Sequence, residues 1–171
     1  IVHRDIKPSN ILVWSDAMGE HAQITDFGVA KIVDTPGNHS QNLAIGTPSY
    51  MAPEQTLGLP VDARSDVYGA GVLLYELLAE RRPFRASRAF ELMSLHRDAP
   101  VPPFDEVAPH RAIPAEIEGV VRRALAKAPE DRYASAVEMA RALDDAADHA
   151  RTSTDDVDVD DLLAAVRRRP R

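Results

Sequence analysis

The sequence contains no cysteine in its 171 residues, and its acidic side chains outnumber its basic ones. Without cysteine it forms neither a disulfide framework nor a thiolate metal site, which suits a reducing compartment such as the cytoplasm. The net charge of −7 argues against a general nucleic-acid-binding protein, which needs a basic face. The best apolar run, residues 69–79, is too short to span a membrane and contains Glu76. No leading signal peptide is visible, so we expect a soluble, cytoplasmic protein.

The rest of the composition is ordinary for a globular protein. Apolar residues make up 44% and charged residues 27% of the chain, whose length suffices for one good core. We expect one main domain over residues 1–148. Residues 149–171 differ in composition and are expected to form an acidic linker, DDVDVDD at 155–161, and a short tail ending in RRRPR at 167–171. A membrane is an expected partner only if the protein continues past this basic tail.

Short apolar runs and helical periodicity predict an α+β fold that is mainly α-helical. Within residues 10–32 the runs ILVW and QIT flank a polar stretch, which predicts a small β-hairpin. Residues 34–42 are rich in turn formers and predict a loop. Four helices are expected: residues 64–80, which are apolar nearly all round and predict a buried helix, residues 87–97, and residues 114–127 and 135–150, whose apolar positions follow the 3.6-residue period. We expect Ser65 or Asp66 to cap the first of them.

The segment HRDIKPSN at residues 3–10 places an acid, a base and an amide close together. Pro8 lacks a backbone N–H and disfavours helix at Lys7, so the segment is predicted to be a loop. Asp5 could orient and deprotonate an attacking hydroxyl, a role worth roughly 10²–10⁴-fold in rate. Lys7 could neutralise a phosphate that is being transferred.

A second acid follows the apolar run QIT, in Asp26-Phe27-Gly28. Asp26 would emerge at a strand end, where Gly28 permits a tight turn. One carboxylate from Asp26 and one amide oxygen from Asn10 suit Mg²⁺, which takes few protein oxygens and keeps phosphate or water oxygens for its other positions.

Each of these features has a simpler interpretation when taken alone. Asp-x-Lys is most often a solvated ion pair, Asp-Phe-Gly is most often a turn, and His3 by itself is more typical of packing than of chemistry. The order and spacing of the features together favour the chemical interpretation.

That order and spacing closely resemble the signature set of protein kinases. The matching segments are His3–Asn10, Asp26–Gly28, GTPSYMAPE at 46–54, SDVYGAGVLLYELL at 65–78 and DRYAS at 131–135. The spacing of Asp5 and Lys7 is similar to the serine/threonine branch, and the whole resembles bacterial kinases of the eukaryotic, or Hanks, type. The resemblance covers about residues 1–148. It implies the C-terminal lobe of a protein kinase, with a small β-hairpin and a helical bundle.

The resemblance implies a signalling enzyme that transfers the γ-phosphate of ATP to serine or threonine hydroxyls of protein substrates, with Mg²⁺ or Mn²⁺. Asp5 would accept the hydroxyl proton, and Lys7 would contact the γ-phosphate. Asn10 and Asp26 would hold the metal against the phosphates. Leu12 would form the floor under the adenine ring.

Other matching positions carry structural or regulatory roles in the resemblance. Thr47 would bridge to Asp5 and Lys7 and help seat the acceptor residue. The resemblance also implies that Glu54 pairs with Arg132 and that Asp66 supports the backbone of the 3–10 loop. His3 would stack on Phe27.

Arg4 is implied to bind a phosphate on the activation segment, residues 26–54. A bidentate contact between arginine and phosphate orders such loops. We hypothesise Ser40 as the main phosphorylation site, with Thr35 further back as the other candidate.

The kinase N-terminal lobe, with its glycine-rich loop and its lysine–glutamate pair, has no counterpart in this sequence. No Gly-x-Gly-x-x-Gly occurs, and two residues precede His3. We therefore expect the lobe to be supplied in cis by a longer chain or by a product of an adjacent reading frame. The 171 residues alone are expected to bind ATP poorly and to transfer phosphate negligibly.

Two other interpretations remain open. One is a non-catalytic kinase-like module that binds partners through the helical surface near residues 87–133. The other is a phosphotransferase of the same fold that acts on small molecules, against which GTPSYMAPE argues because it resembles a peptide-positioning segment.

Overall fold

The computed structural model describes residues 1–26 and 48–153. Within these residues, two strands and six helices follow in chain order: β1 (Ile11–Asp16), β2 (Gly19–Ile24), α1 (Pro53–Thr56), α2 (Ala63–Ala79), α3 (Ala89–Asp98), α4 (Phe104–Val107), α5 (Ala115–Ala124) and α6 (Ala136–Ser153). Short 3₁₀ turns lie at Pro8–Asn10, Pro48–Tyr50, Pro109–Arg111 and Pro129–Asp131. The predicted α+β class, a small hairpin beside a mainly helical body, is confirmed.

The hairpin connects the 3–10 loop to the segment that contains Asp26. β1 and β2 are antiparallel, and their register pairs Ile11 with Ile24. Gly19 adopts φ 125° at the turn, a conformation that glycine reaches without strain. Beyond the last pair, the Thr25 N–H donates to the Asn10 carbonyl at 2.8 Å. The backbones before β1 and after β2 are therefore held side by side.

Helix α2 is the central element, and its cap differs from the predicted one. The carboxylate of Asp62 accepts the Arg64 N–H at 2.8 Å, so Asp62 is the N-cap residue. The two expected caps instead lie within the first turn, where their side chains reach other segments. The Ser65 hydroxyl donates to Glu54, and Asp66 accepts from the 3–10 loop. The predicted cap is therefore wrong, because tertiary contacts give Ser65 and Asp66 distant partners and leave the cap to Asp62.

The core forms where α5 and α6 cover α2. Val67, Tyr68 and Val72 on α2 are fully buried. Helices α2 and α5 approach each other closely at Gly71, where an added Cβ would lie 2.9 Å from the Ala124 Cβ. A side chain at that position would separate the two helices.

Substituting Gly71 with alanine is expected to lower the free energy of unfolding by about 1–3 kcal/mol, because overpacking forces backbone to move. Gly119→Ala is the matched control, since an added Cβ there meets nothing within 4 Å. In α5 that change is expected to be neutral or to stabilise by about 0.5–1 kcal/mol. Urea denaturation of the two variants measures both values. Equal stability of the two variants would contradict the close approach of α2 and α5.

Helix α6 runs to Ser153 and so passes the domain boundary expected at residue 148. Residues 154–171, which include the acidic run and the basic end, lie outside the described residues. Within residues 1–26 and 48–153, no helix combines the length and the apolar character needed to cross a bilayer.

Candidate active site

The 3–10 loop is shaped by its proline. Lys7 is extended, with φ −162° and ψ 162°, as steric contact with a following proline requires. The Pro8–Asn10 turn is closed by the Asn10 N–H, which donates to the Lys7 carbonyl at 3.0 Å. The loop therefore turns back just before β1 starts and brings its polar side chains together.

Asp5, Lys7 and Asn10 are in mutual contact around the Asp5 carboxylate. Lys7 Nζ lies 2.8 Å from Asp5 Oδ2, and both side chains are partly exposed. Asn10 is buried, and its Nδ2 donates to the Asp5 carbonyl at 2.9 Å and to Asp5 Oδ2 at 3.2 Å. The Asp5 carboxylate, oriented by Asn10, can accept a hydroxyl proton while the neighbouring Lys7 ammonium contacts a phosphate.

His3 is buried and connects the loop to the strand end that precedes Asp26. Its Nδ1 accepts the Asp5 N–H at 3.3 Å, so the ring proton lies on Nε2, which donates to the Thr25 carbonyl at 2.8 Å. The ring therefore has a bridging role that the sequence alone does not indicate. The expected stack on Phe27 falls outside the described residues.

Asp66 holds the backbone of the loop from helix α2. Its two carboxylate oxygens accept the N–H groups of His3 and Arg4, each at 2.7 Å. Arg4 has φ 68°, a left-handed conformation that costs a non-glycine residue roughly 1–2 kcal/mol. Strain of this kind persists only where neighbouring groups support it, and it is common at functional sites.

Asp26 follows β2 and is also left-handed, with φ 57°. Because Thr25 is bonded to the Asn10 carbonyl, Asp26 stands one residue from the backbone contact that joins the two segments. The Asn10 amide nitrogen is occupied by Asp5, which leaves the amide oxygen as the atom for a cation. One carboxylate and one amide oxygen fit Mg²⁺ that is also held by phosphates. No group of three or more His, Cys, Asp or Glu suited to a metal occurs among the described residues.

Apart from Glu54 and Arg132, the remaining predicted site residues divide into two groups. Leu12, on β1, is 58% exposed, so its side chain is accessible at the surface of the hairpin. The others lie outside the described residues, namely Phe27, Gly28, Thr35, Ser40 and Thr47.

Glu54 and Arg132 form a buried ion pair beneath the site. The guanidinium donates to both Glu54 oxygens at 2.8 Å, and the Ser65 hydroxyl donates to Oε1 at 2.5 Å. The guanidinium also donates to the backbone carbonyls of Arg64, Ala126 and Lys127. Burial by itself would raise the pKa of Glu54, but the hydrogen bonds from Arg132 and Ser65 outweigh it, so this pKa lies below its ordinary value. The pair ties α1 to the turn before α6.

Two contacts that the sequence analysis missed hold residues 48–50 against α2 and the segment that follows it. The Tyr50 hydroxyl donates to Glu76 Oε2, and Arg82 donates to the Ser49 hydroxyl. Glu76 had a visible signal, because it is the single charged residue in the apolar run 69–79. A lone charge in a buried helix indicates a polar partner from another element.

A second polar cluster consists of Tyr68, His96 and Lys127. His96 is fully buried, and its Nδ1 lies 2.9 Å from the Tyr68 hydroxyl. Burial and the nearby Lys127 cation lower the pKa of His96 to about 4, so the ring is neutral at physiological pH. Lys127 donates to the His96 carbonyl at 2.8 Å, and burial lowers its own pKa to about 8. The cluster joins α2 and α3 to the turn after α5.

A hairpin beside a helical body, with Asp5, Lys7 and Asn10 on one loop and Asp26 at a strand end, is an arrangement typical of the protein-kinase fold. The family model for the protein kinase domain matches residues 1–144, most of the chain. The chain belongs to the protein kinase family.

Its curated relatives are bacterial serine/threonine-protein kinases. The chain is 46% identical over 157 residues to Pkn1 of Myxococcus xanthus and 42% identical over 142 residues to PknB of Mycobacterium tuberculosis. These matches cover 90% and 81% of this chain but 22% of either relative. The crystal structure of the Mycobacterium tuberculosis PknI kinase domain superposes with a TM-score of 0.58 at 28% identity, covering 85% of this chain and 46% of that one. The chain thus spans about a fifth of the length of these curated relatives.

Proposed function

We propose that this protein is a serine/threonine kinase that transfers the γ-phosphate of ATP to hydroxyls of protein substrates in signal transduction. The observation that carries the proposal is the contact set around Asp5. Its carboxylate is directed by Asn10 and lies beside the Lys7 cation. Phosphoryl transfer requires mainly positioning and charge stabilisation, and these residue types supply both.

Each residue has a distinct task in this proposal. Asp5 accepts the proton of the acceptor hydroxyl, and Lys7 moves from Asp5 to the transferred phosphate. The Asn10 amide oxygen and the Asp26 carboxylate hold Mg²⁺, or Mn²⁺ in its place. When bound, that metal neutralises charge on the ATP phosphates. Leu12 supports the adenine ring from the hairpin.

The regulatory roles are part of the same proposal. Arg4 receives a phosphate from the activation segment, with Ser40 as the first candidate and Thr35 as the second. Thr47 links the acceptor-binding segment to Asp5. Phosphopeptide mapping that found Ser40 unmodified in active protein would exclude it as the main site.

Protein substrates with serine or threonine acceptors are the partners that this proposal implies. The cytoplasm, where ATP is available, is the proposed compartment, and it also suits a sequence without cysteine.

The proposal is tested by phosphate transfer from labelled ATP. The protein in its full natural length, supplied with Mg²⁺, is expected to label itself or a general protein acceptor on serine and threonine. EDTA is expected to abolish the labelling. Phosphoamino-acid analysis separates this outcome from the alternatives, since label found only in small molecules would indicate a small-molecule phosphotransferase. Absence of both transfer and metal-dependent ATP binding would favour a non-catalytic module.

The 171 residues alone provide a second arm of that experiment. Since they contain no glycine-rich loop, they are expected to transfer negligible phosphate. Strong autophosphorylation by this chain, lost in Asp5→Asn, would contradict that expectation while supporting the catalytic role of Asp5.

A further inference from the structure

The side chain of Gln55 connects helix α1 to the 3–10 loop. Its Nε2 donates to the Arg4 carbonyl at 2.9 Å, and its Oε1 accepts the Ala52 N–H at 3.0 Å. The second bond satisfies the backbone at the start of α1, as the third helical residue of a capping box does. The first bond crosses 51 positions of sequence to the residue before Asp5.

The peptide between Arg4 and Asp5 is held at both of its polar groups. Gln55 binds its carbonyl oxygen, and the His3 ring accepts its N–H at 3.3 Å. The preceding N–H, that of Arg4, is bound by Asp66 at 2.7 Å. Arg4 needs this support because its φ of 68° is unfavourable for a residue with a side chain. The carbonyl of Asp5 itself accepts from Asn10 Nδ2 at 2.9 Å, so the peptides on both sides of the Asp5 Cα are held, and with them the direction in which the Asp5 side chain leaves the backbone.

We propose that Gln55 is a positioning residue for Asp5. From helix α1 it fixes the orientation of the Arg4–Asp5 peptide. The placement of the Asp5 carboxylate is thereby coupled to residues 48–52, which lead into α1 and belong to the proposed acceptor-binding segment. This inference rests on the proposed kinase function. An error of 1 Å in a reacting group can cost large factors in rate, so a bond at this position affects catalysis more than binding.

Gln55→Glu keeps one of the two hydrogen bonds of this side chain and removes the other. The carboxylate keeps an acceptor for the Ala52 N–H, which preserves the start of α1. It has no N–H for the Arg4 carbonyl and places an acceptor against an acceptor there. Ala140→Glu is the control, because Ala140 is an exposed residue of α6 and the variant gains the same negative charge. Gln55→Met removes both bonds.

The test measures steady-state kinetics of the full-length protein together with amide hydrogen exchange. Gln55→Glu is expected to lower kcat about 10-fold with KM for ATP unchanged, and to speed exchange of the Asp5 N–H. Ala140→Glu is expected to match the wild type in both measurements. The thermal midpoint of Gln55→Glu is expected to stay close to that of the wild type, which distinguishes positioning from loss of fold.

The outcomes separate this inference from the proposed function. A wild-type kcat in Gln55→Glu overturns the inference, as does a kcat loss that merely follows a loss of folded protein. If the wild type transfers no phosphate but Gln55→Glu still speeds exchange of the Asp5 N–H, the link to the loop stands and the proposed function fails.

Discussion

Arg132→Met is expected to lower the free energy of unfolding by about 3–5 kcal/mol, because it leaves the Glu54 carboxylate buried without its counter-ion. The Arg132 side chain has no exposed surface, and that of Glu54 is 7% exposed. The substitution also removes the donor from three backbone carbonyls. Urea denaturation near neutral pH measures the loss.

Arg64→Met is the matched control for this prediction. Arg64 makes a comparable pair with Asp62, but at the surface, with side chains 36% and 52% exposed. Surface pairs contribute at most about 1 kcal/mol, so this variant should remain close to the wild type. Adding Glu54→Gln to Arg132→Met should recover part of the loss, since an amide costs less to bury than a carboxylate. Equal losses in the two arginine variants would contradict the importance of burial.

The pH dependence of stability gives an independent measurement of the same pair. In the wild type the pKa of Glu54 is lowered from its usual 4.5, so its contribution is present above that pH and is lost on acidification. In Arg132→Met, burial, which is the largest influence and raises the pKa of Glu54, is opposed mainly by the hydrogen bond from Ser65, so the pKa of Glu54 is expected to rise above its usual value. The native variant then holds a proton that the unfolded chain releases, so the Glu54 contribution to stability falls as pH rises. The two proteins should therefore differ most at neutral pH and least in acid.

Asp5→Asn is expected to lower phosphate transfer by about 10²–10⁴-fold, because an amide cannot accept the hydroxyl proton. The variant is isosteric and keeps an oxygen for Asn10 Nδ2. It loses the ion pair with Lys7, which is partly exposed and contributes little to stability. The effect should therefore appear in kcat of the full-length protein, with the fold retained.

Asp105→Asn is the control for that variant, since it makes the same change at an exposed position of α4. It should leave kcat unchanged. Transfer by Asp5→Asn within threefold of the wild type would exclude Asp5 as the proton acceptor, whatever the activity of the control.

The hairpin and the long helices could be predicted from local patterns. Apolar runs bounded by turn residues are sufficient for β1 and β2, all-round apolar character is sufficient for α2, and the 3.6-residue period is sufficient for α5 and α6. The cap of α2 was predicted wrongly as Ser65 or Asp66, because both are cap-forming residue types. Their side chains are bonded to distant segments, and Asp62 caps the helix instead.

The sequence by itself determined the chemical groups of the candidate site. Asp5, Lys7 and Asn10 lie close together in the chain, so they are neighbours in any fold that keeps the turn at Pro8–Asn10. The tertiary structure alone decided how that turn is held. Asp66 and Gln55 reach the loop from 63 and 51 positions away, and Arg132 reaches Glu54 across 78. Local propensity carries no information about such pairs, since their contact depends on how α1 and α2 pack and not on the residues beside them.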